Sequence, residues 1–68
     1  MQIQILVNGE LRNTSPGQTV LGLLAELHLD PARVAVELNR AIVKQPLWPS
    51  TEVPPGAQIE IVQFVGGG

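Results

Sequence analysis

Polar and apolar residues alternate from the first residue of the chain. Met1, Ile3, Ile5 and Val7 fall on one side, and Gln2, Gln4 and Leu6 on the other. That is the two-residue period of a half-buried strand over residues 1–7. Leu6 is the apolar exception on the Gln-bearing side. Asn8-Gly9 comes next. Both residues tolerate positive φ, as a two-residue hairpin turn demands, so a return strand carrying Leu11 is expected over Glu10–Thr14. Ser15-Pro16-Gly17 is loop chemistry. Thr19 is then placed to cap a helix, because Val20, Leu23, Leu24 and Leu27 recur at the i, i+3, i+4, i+7 spacing of one stripe, which Leu21 broadens. Gly22 sits inside that helix at a cost of about 1 kcal/mol against Ala. Tolerance or close packing explains it before function does. The helix should end near His28, since Pro31 disfavours helical geometry at Asp30. Roughly eight to ten residues are too few to be stable alone, so the helix must pack on a sheet.

Val34, Val36 and Leu38 alternate with Ala35 and Glu37 as a third strand. Asn39-Arg40 reads as a turn and Ala41–Val43 as a short fourth strand. Residues 44–55 hold Pro46, Pro49, Pro54 and Pro55, which excludes a long regular element. A short helical turn around Leu47-Trp48 and then a surface loop are expected. Pro55-Gly56 marks another turn, and residues 58–65 form the last strand, with Ile59, Ile61, Val62, Phe64 and Val65 apolar. The order is β-β-α-β-β-β. This is an α+β class, a β-grasp roll in which one main helix covers one face of a mixed sheet of about four to five strands. The helical crossover lets its flanking strands run parallel. One domain over residues 1–65 and a flexible tail over residues 66–68 are expected.

Composition narrows the function classes. Four basic against six acidic residues give a net charge of −2, without the clustered Lys and Arg of a nucleic-acid footprint. Charged residues make up 15% of the chain, against about 25% in an average soluble domain, so part of the surface should be apolar. Cysteine is absent, which removes disulfides, Cys-based metal sites and a thiol nucleophile. One His and two distant serines, Ser15 and Ser50, leave little from which to build an active site. His28 falls at the helix C-terminus, where a cation is favoured, and without a second His or Cys it is no metal site. No basic n-region with a long apolar run opens the chain, so no signal peptide is expected, and no run approaches a membrane span. The expectation is a cytoplasmic protein, monomeric when free, with no nucleic-acid or membrane partner.

The sequence closes on Gly66-Gly67-Gly68. Glycines carry no Cβ, so such a tail is slender enough to enter a narrow channel in another protein. Its carboxylate becomes an acyl donor only once its oxygen is converted to a better leaving group, as adenylation by ATP would do. The bland alternative is a frayed end.

Val34-Ala35-Val36-Glu37-Leu38-Asn39, then Ile42-Val43, Trp48 and the ending Ile59-Glu60-Ile61-Val62-Gln63-Phe64-Val65-Gly66-Gly67-Gly68 resemble the ThiS family. Pro16-Gly17-Gln18-Thr19-Val20 fits as well. These are sulfur carrier proteins of thiamine biosynthesis with a ubiquitin-like β-grasp fold. The resemblance implies a carrier rather than an enzyme. A ThiF/E1-like enzyme, using its own ATP and Mg²⁺, would adenylate the Gly68 carboxylate. A cysteine-desulfurase-derived persulfide would supply sulfur to make a thiocarboxylate, and thiazole synthase (ThiG) would accept it. Gly66 and Gly67 would thread the partner channels. No cofactor is expected on this chain, which has no Gly-x-x-x-x-Gly-Lys loop. Asn39-Arg40-Ala41 departs from the Asn-Gly-type turn of many relatives. A MoaD-like carrier of molybdopterin synthesis and a non-carrier β-grasp interaction module are the rival readings.

Val62 and Phe64 share a strand face opposite the helix, as Leu6 does on the first strand. Together with Val65 they make the expected docking surface. The alternative is that the Pro-rich segment folds over them. Trp48 is expected in a satellite core under that segment, and Asp30-Pro31 in a turn. Glu37, Arg40 and Lys44 read as ordinary solvated surface.

Overall fold

The computed structural model describes residues 1–65. The expected tail, Gly66, Gly67 and Gly68, lies outside them. Strand β1 (Ile3–Val7) turns into β2 (Glu10–Thr14), followed by helix α1 (Val20–Glu26) and a 3-10 turn at Pro31–Arg33. Strands β3 (Val34–Leu38) and β4 (Ala41–Val43), a 3-10 helix at Gln45–Ser50 and strand β5 (Gln58–Gln63) complete the order. The sheet has five strands in the order β2-β1-β5-β3-β4. β5 lies at its centre, parallel to β1 and antiparallel to β3.

Each hairpin turn follows from its two central residues. Asn8 and Gly9 have φ of 51° and 83°, and Asn39 and Arg40 have 49° and 71°, with Val7 opposite Glu10 and Leu38 opposite Ala41. Two left-handed residues match the twist of the flanking strands. Gly9 adopts that conformation freely, whereas Arg40 carries a Cβ against it. The departure of Asn39-Arg40 from an Asn-Gly pair therefore changes the energy of the turn and leaves its geometry intact.

Helix α1 begins as its sequence suggests, with the Thr19 hydroxyl accepting from Gly22 N at 3.0 Å. Gln18 Nε2 donates to Glu26 Oε2 at 2.6 Å across the helix. A Cβ on Gly22 would collide with the Gln18 amide oxygen and lie 3.2 Å from the Thr19 hydroxyl. An alanine here would therefore displace the Gln18 amide from its place over the helix start, a shift that its flexible side chain can make. At its other end the helix is seven residues long, shorter than its periodicity suggests. His28 N donates to Ala25 O, Leu29 N donates to Leu24 O, and His28 takes φ of 59°. This is a Schellman closure with histidine where glycine is usual. It reverses the chain before Asp30-Pro31 could. Asp30 then caps the 3-10 turn, accepting from Ala32 N at 2.9 Å, so the expected simple turn is a short helical one.

The core lies between α1 and one sheet face. Val20, Leu23 and Leu24 meet Ile5, Ile59, Ile61, Val34 and Val36, all buried. Leu21 is 36% exposed; on so short a helix it flanks the buried stripe instead of widening it. Trp48 belongs to this main core, not to a satellite. The 3-10 helix that carries it packs on α1, and its Nε1 donates to Val43 O at 2.8 Å. Val53 and Ala57 are also buried. The bonds Val20 N to Thr51 O and Val53 N to Gln18 O draw the segment after the 3-10 helix inward, where a surface loop is expected from its prolines.

Replacing Arg40, or separately His28, by Gly should raise the unfolding free energy by about 0.5–1 kcal/mol, because each sits in a left-handed conformation that Gly adopts without strain. The measurement is a higher urea midpoint at unchanged slope. A lower midpoint in both variants would contradict the backbone described.

Candidate functional site

The side chain of Asn8 does the work of a residue that β1 lacks. Backbone pairing of β1 with β5 stops after Val7 and Ile59, with Asn8 N donating to Ile59 O at 2.8 Å. Asn8 then turns left-handed into the hairpin. Its amide Nδ2 donates to Ile61 O at 3.1 Å, and its Oδ1 accepts from Ile61 N at 2.7 Å. Ile61 is thereby satisfied on both backbone groups although β1 no longer runs beside it on that side. On the other side of β5, Phe64 N donates to Arg33 O at 2.8 Å. The β3 ladder therefore extends one residue beyond Gln63, and the 3-10 turn at Pro31–Arg33 presents that carbonyl. β5 is held up to its last residues; it runs in the direction of β1, past the β1-β2 turn, and away from the β3-β4 turn.

The sheet face opposite α1 is open. Val62 and Phe64 are exposed on it at 59% and 56%, as the alternation along β5 suggests. The Pro-rich segment does not cover them, because it packs on the helix side. Leu6 shares this face but sits at the level of Gln58, four residues back along β5 and about 13 Å from Val62. It is half-buried against Leu11, its cross-strand partner. Glu60 and Glu37 lie directly opposite each other between the two apolar ends, with Ile42 next in the row. Like charges so placed repel, and among the described residues the one ion pair is Arg33 with Asp30. The face is therefore two apolar ends around an uncompensated acidic pair. Val65 lies past the end of β5 and is fully exposed; the alternation sets it apart from Val62 and Phe64.

The structure brings Val62 and Phe64 together, places Leu6 at the far end of the same face, and leaves Val65 as the lead into the tail. Gly66, Gly67 and Gly68 lie outside the described residues. Leu11 and Ile42 belong to the open face and go beyond the residues expected there. Their signal was available, since each sits on the strand side opposite the core residues. Asn8 gave no such signal beyond its turn. Among the described residues no group of three His, Cys, Asp or Glu could hold a metal, and no helix is long and apolar enough to cross a membrane.

A five-stranded mixed sheet with a parallel central pair, one covering helix and a terminal strand that runs on into glycines defines a ubiquitin-like β-grasp protein. The profile of the ThiS family matches residues 5–68, and the chain belongs to that family. It is 36% identical to the sulfur carrier protein ThiS of Escherichia coli K12 over 66 residues, covering 97% of this chain and all of that one. A thiazole synthase of Paramagnetospirillum magneticum is 44% identical over 66 residues, 97% of this chain, and this chain spans 20% of that protein's length. Among solved structures, the thiamine biosynthesis protein ThiS of Geobacter metallireducens superposes with a TM-score of 0.81 at 29% identity, over 97% of this chain and 100% of that one.

Neighbouring positions on β5 should respond to substitution in opposite ways. Phe64→Thr on the open face should alter stability by no more than about 0.5 kcal/mol. Ile61→Ala should cost about 2–4 kcal/mol in the core, and Asn8→Ala about 2 kcal/mol through two lost hydrogen bonds at Ile61. Urea unfolding reads all three. A Phe64 variant as damaging as the Ile61 variant would mean that the face is not open.

Proposed function

We propose that this chain carries sulfur for thiazole formation in thiamine biosynthesis, with the Gly68 carboxylate as the group that changes. The observation that carries the reading is a family match that runs through residue 68 and so includes the glycine ending. The residue inventory supports it. With no cysteine in the chain, no side chain can hold a persulfide, and the backbone terminus is the remaining handle.

The chemistry needs no catalytic group from this chain. A ThiF/E1-like partner, binding ATP and Mg²⁺ itself, joins a Gly68 carboxylate oxygen to the α-phosphorus and releases pyrophosphate. A persulfide sulfur derived from a cysteine desulfurase attacks the acyl carbon, and AMP leaves. A thiol then cleaves the resulting acyl disulfide, forming a new disulfide and leaving a thiocarboxylate on Gly68. The acceptor is a thiazole synthase (ThiG). That choice is supported by the thiazole synthase in which a segment resembling this chain occupies 20% of the length. The setting is the cytoplasm.

Docking of these partners uses the open face. Val62 and Phe64 form one apolar end beside Val65 and the tail, Leu6 and Leu11 the other, and Gly66 and Gly67 enter the partner's channel. The acidic pair Glu37 and Glu60 between them suits a partner surface with a cation at the matching point. Exposed apolar positions on a sheet face are interaction surfaces when they cost the monomer nothing to change.

Incubating the purified chain with ATP, Mg²⁺, a ThiF-like enzyme and a persulfide source, then weighing the intact protein, tests this. The expected result is the mass gain of one oxygen exchanged for sulfur at the C-terminus, lost on deletion of Gly67 and Gly68. A bulky residue added after Gly68 should block the gain without unfolding the domain. An unmodified chain under conditions that convert an authentic carrier would refute the reading.

A further inference from the structure

The backbone of β5 is left open on one side just before the tail. Even-numbered residues of this strand turn their backbone groups to β3, as Phe64 N does toward Arg33 O and as Asn39 N does toward Gln58 O. Odd-numbered residues turn theirs the other way, so that Ile59 O meets Asn8 N and Ile61 meets the Asn8 side chain. Gln63 continues the odd series. By then β1 has ended and Asn8 has been used; the register with β3 turns the Gln63 N–H and C=O away from its partner Val34, and no turn, loop or side-chain bond reaches them among the described residues. Val65 follows in the same register. An extended strand with one free edge is a template for a further strand.

The space beside this edge is shaped to take one. A groove of about 230 Å³ runs along the helix side, lined by Val7, Asn8, Leu27, Leu29, Ile61 and Gln63. Leu27 and Leu29 line it because the Schellman closure at His28 turns the chain there. Asn8, whose side chain occupies the backbone groups of Ile61, lines the groove too, so the first backbone position of β5 left open on this side is Gln63.

We propose that the protein that activates the tail adds an extended segment of its own to β5 at this edge. It would bond the N–H and C=O of Gln63 and continue past Val65, with an apolar side chain seated between Leu27 and Leu29. This rests on the carrier reading above and adds how the tail is aimed. Strand addition of this kind takes its affinity from main-chain bonds and its selectivity from alternate side chains. From Gln63 the chain has five residues to its end, a reach of roughly 17 Å when extended. Pairing at Gln63 thus orients the root of the tail as it leaves the domain. The paired edge is also separate from the open face: one is read through the backbone, the other through Val62 and Phe64.

Proline substitutions test the register, because each removes one N–H. Gln63→Pro removes the donor on the free edge and leaves the β3 ladder whole. It should keep the unfolding midpoint of wild type and lower kcat/KM for adenylation by a ThiF-like enzyme with ATP and Mg²⁺ about tenfold or more. Gln63→Ala, which keeps the N–H, should stay within about threefold of wild type on the same scale. Phe64→Pro removes a β3 bond and should lower the midpoint. Amide hydrogen exchange with that enzyme bound supplies the second reading: the Gln63 N–H should become protected on complex formation. If wild type is converted while Gln63→Pro is converted equally fast and the Gln63 amide stays as exchangeable as in the free protein, strand addition is wrong and the carrier reading stands. If wild type is not converted at all, the carrier reading falls, and this proposal with it.

Discussion

β5 is the central strand of the sheet, with β1 on one side and β3 on the other, and its two sides end at different residues. Toward β3 the ladder reaches Phe64 through the carbonyl of Arg33. Toward β1 it reaches Ile61, and the last rung there comes from the side chain of Asn8. Burying backbone groups without partners is costly, so the central strand of so small a sheet must be satisfied rung by rung. Asn8 meets two demands at once: it supplies the left-handed turn that starts β2, and it replaces the residue that β1 would otherwise need beside Ile61. The last residues before the tail are consequently anchored from one side only.

That asymmetry divides the molecule by task. Residues of β5 pointing to α1, Ile59 and Ile61, carry the core together with Trp48 and the helix leucines. Those pointing away, Glu60, Val62 and Phe64, are exposed and add little to folding. Keeping Glu37 opposite Glu60 costs the fold a modest repulsion. A surface selected only for stability would not be expected to retain it. On the proposed carrier reading, the same division lets a chain of 68 residues with no cysteine offer its terminus to partners without building an active site of its own. Nearly all of its apolar burial goes into the platform, and the chemistry is left to partners.

Most of this was legible in the residues. Strand alternation, the Asn8-Gly9 turn and the stripe of Val20, Leu23 and Leu24 led to the right elements, and the side of β5 on which Val62 and Phe64 lie followed from the same alternation. What was not legible depends on contacts between distant segments. Trp48 entered the main core because the Pro-rich segment folds onto α1, and proline spacing says only where helices and strands cannot form. Val53 is drawn inward by its own bond to Gln18 O and by that of Val20 N to Thr51 O, pairings that no local pattern announces. The helix stopped early at His28 because a residue with a Cβ took the left-handed closing position, which glycine usually marks. Asn8 looked like turn chemistry alone; its bond to Ile61 spans 53 positions. The open edge at Gln63 is a consequence of that bond and was equally hidden.

Residue-resolved amide hydrogen exchange of the free protein tests the one-sided anchoring of β5 most directly. Glu60, Val62 and Phe64 should be protected through β3, and Ile61 through Asn8, while Gln63, between two protected neighbours, should exchange at close to the rate of an unstructured amide. A Gln63 amide as slow as those of Val62 and Phe64 would contradict it.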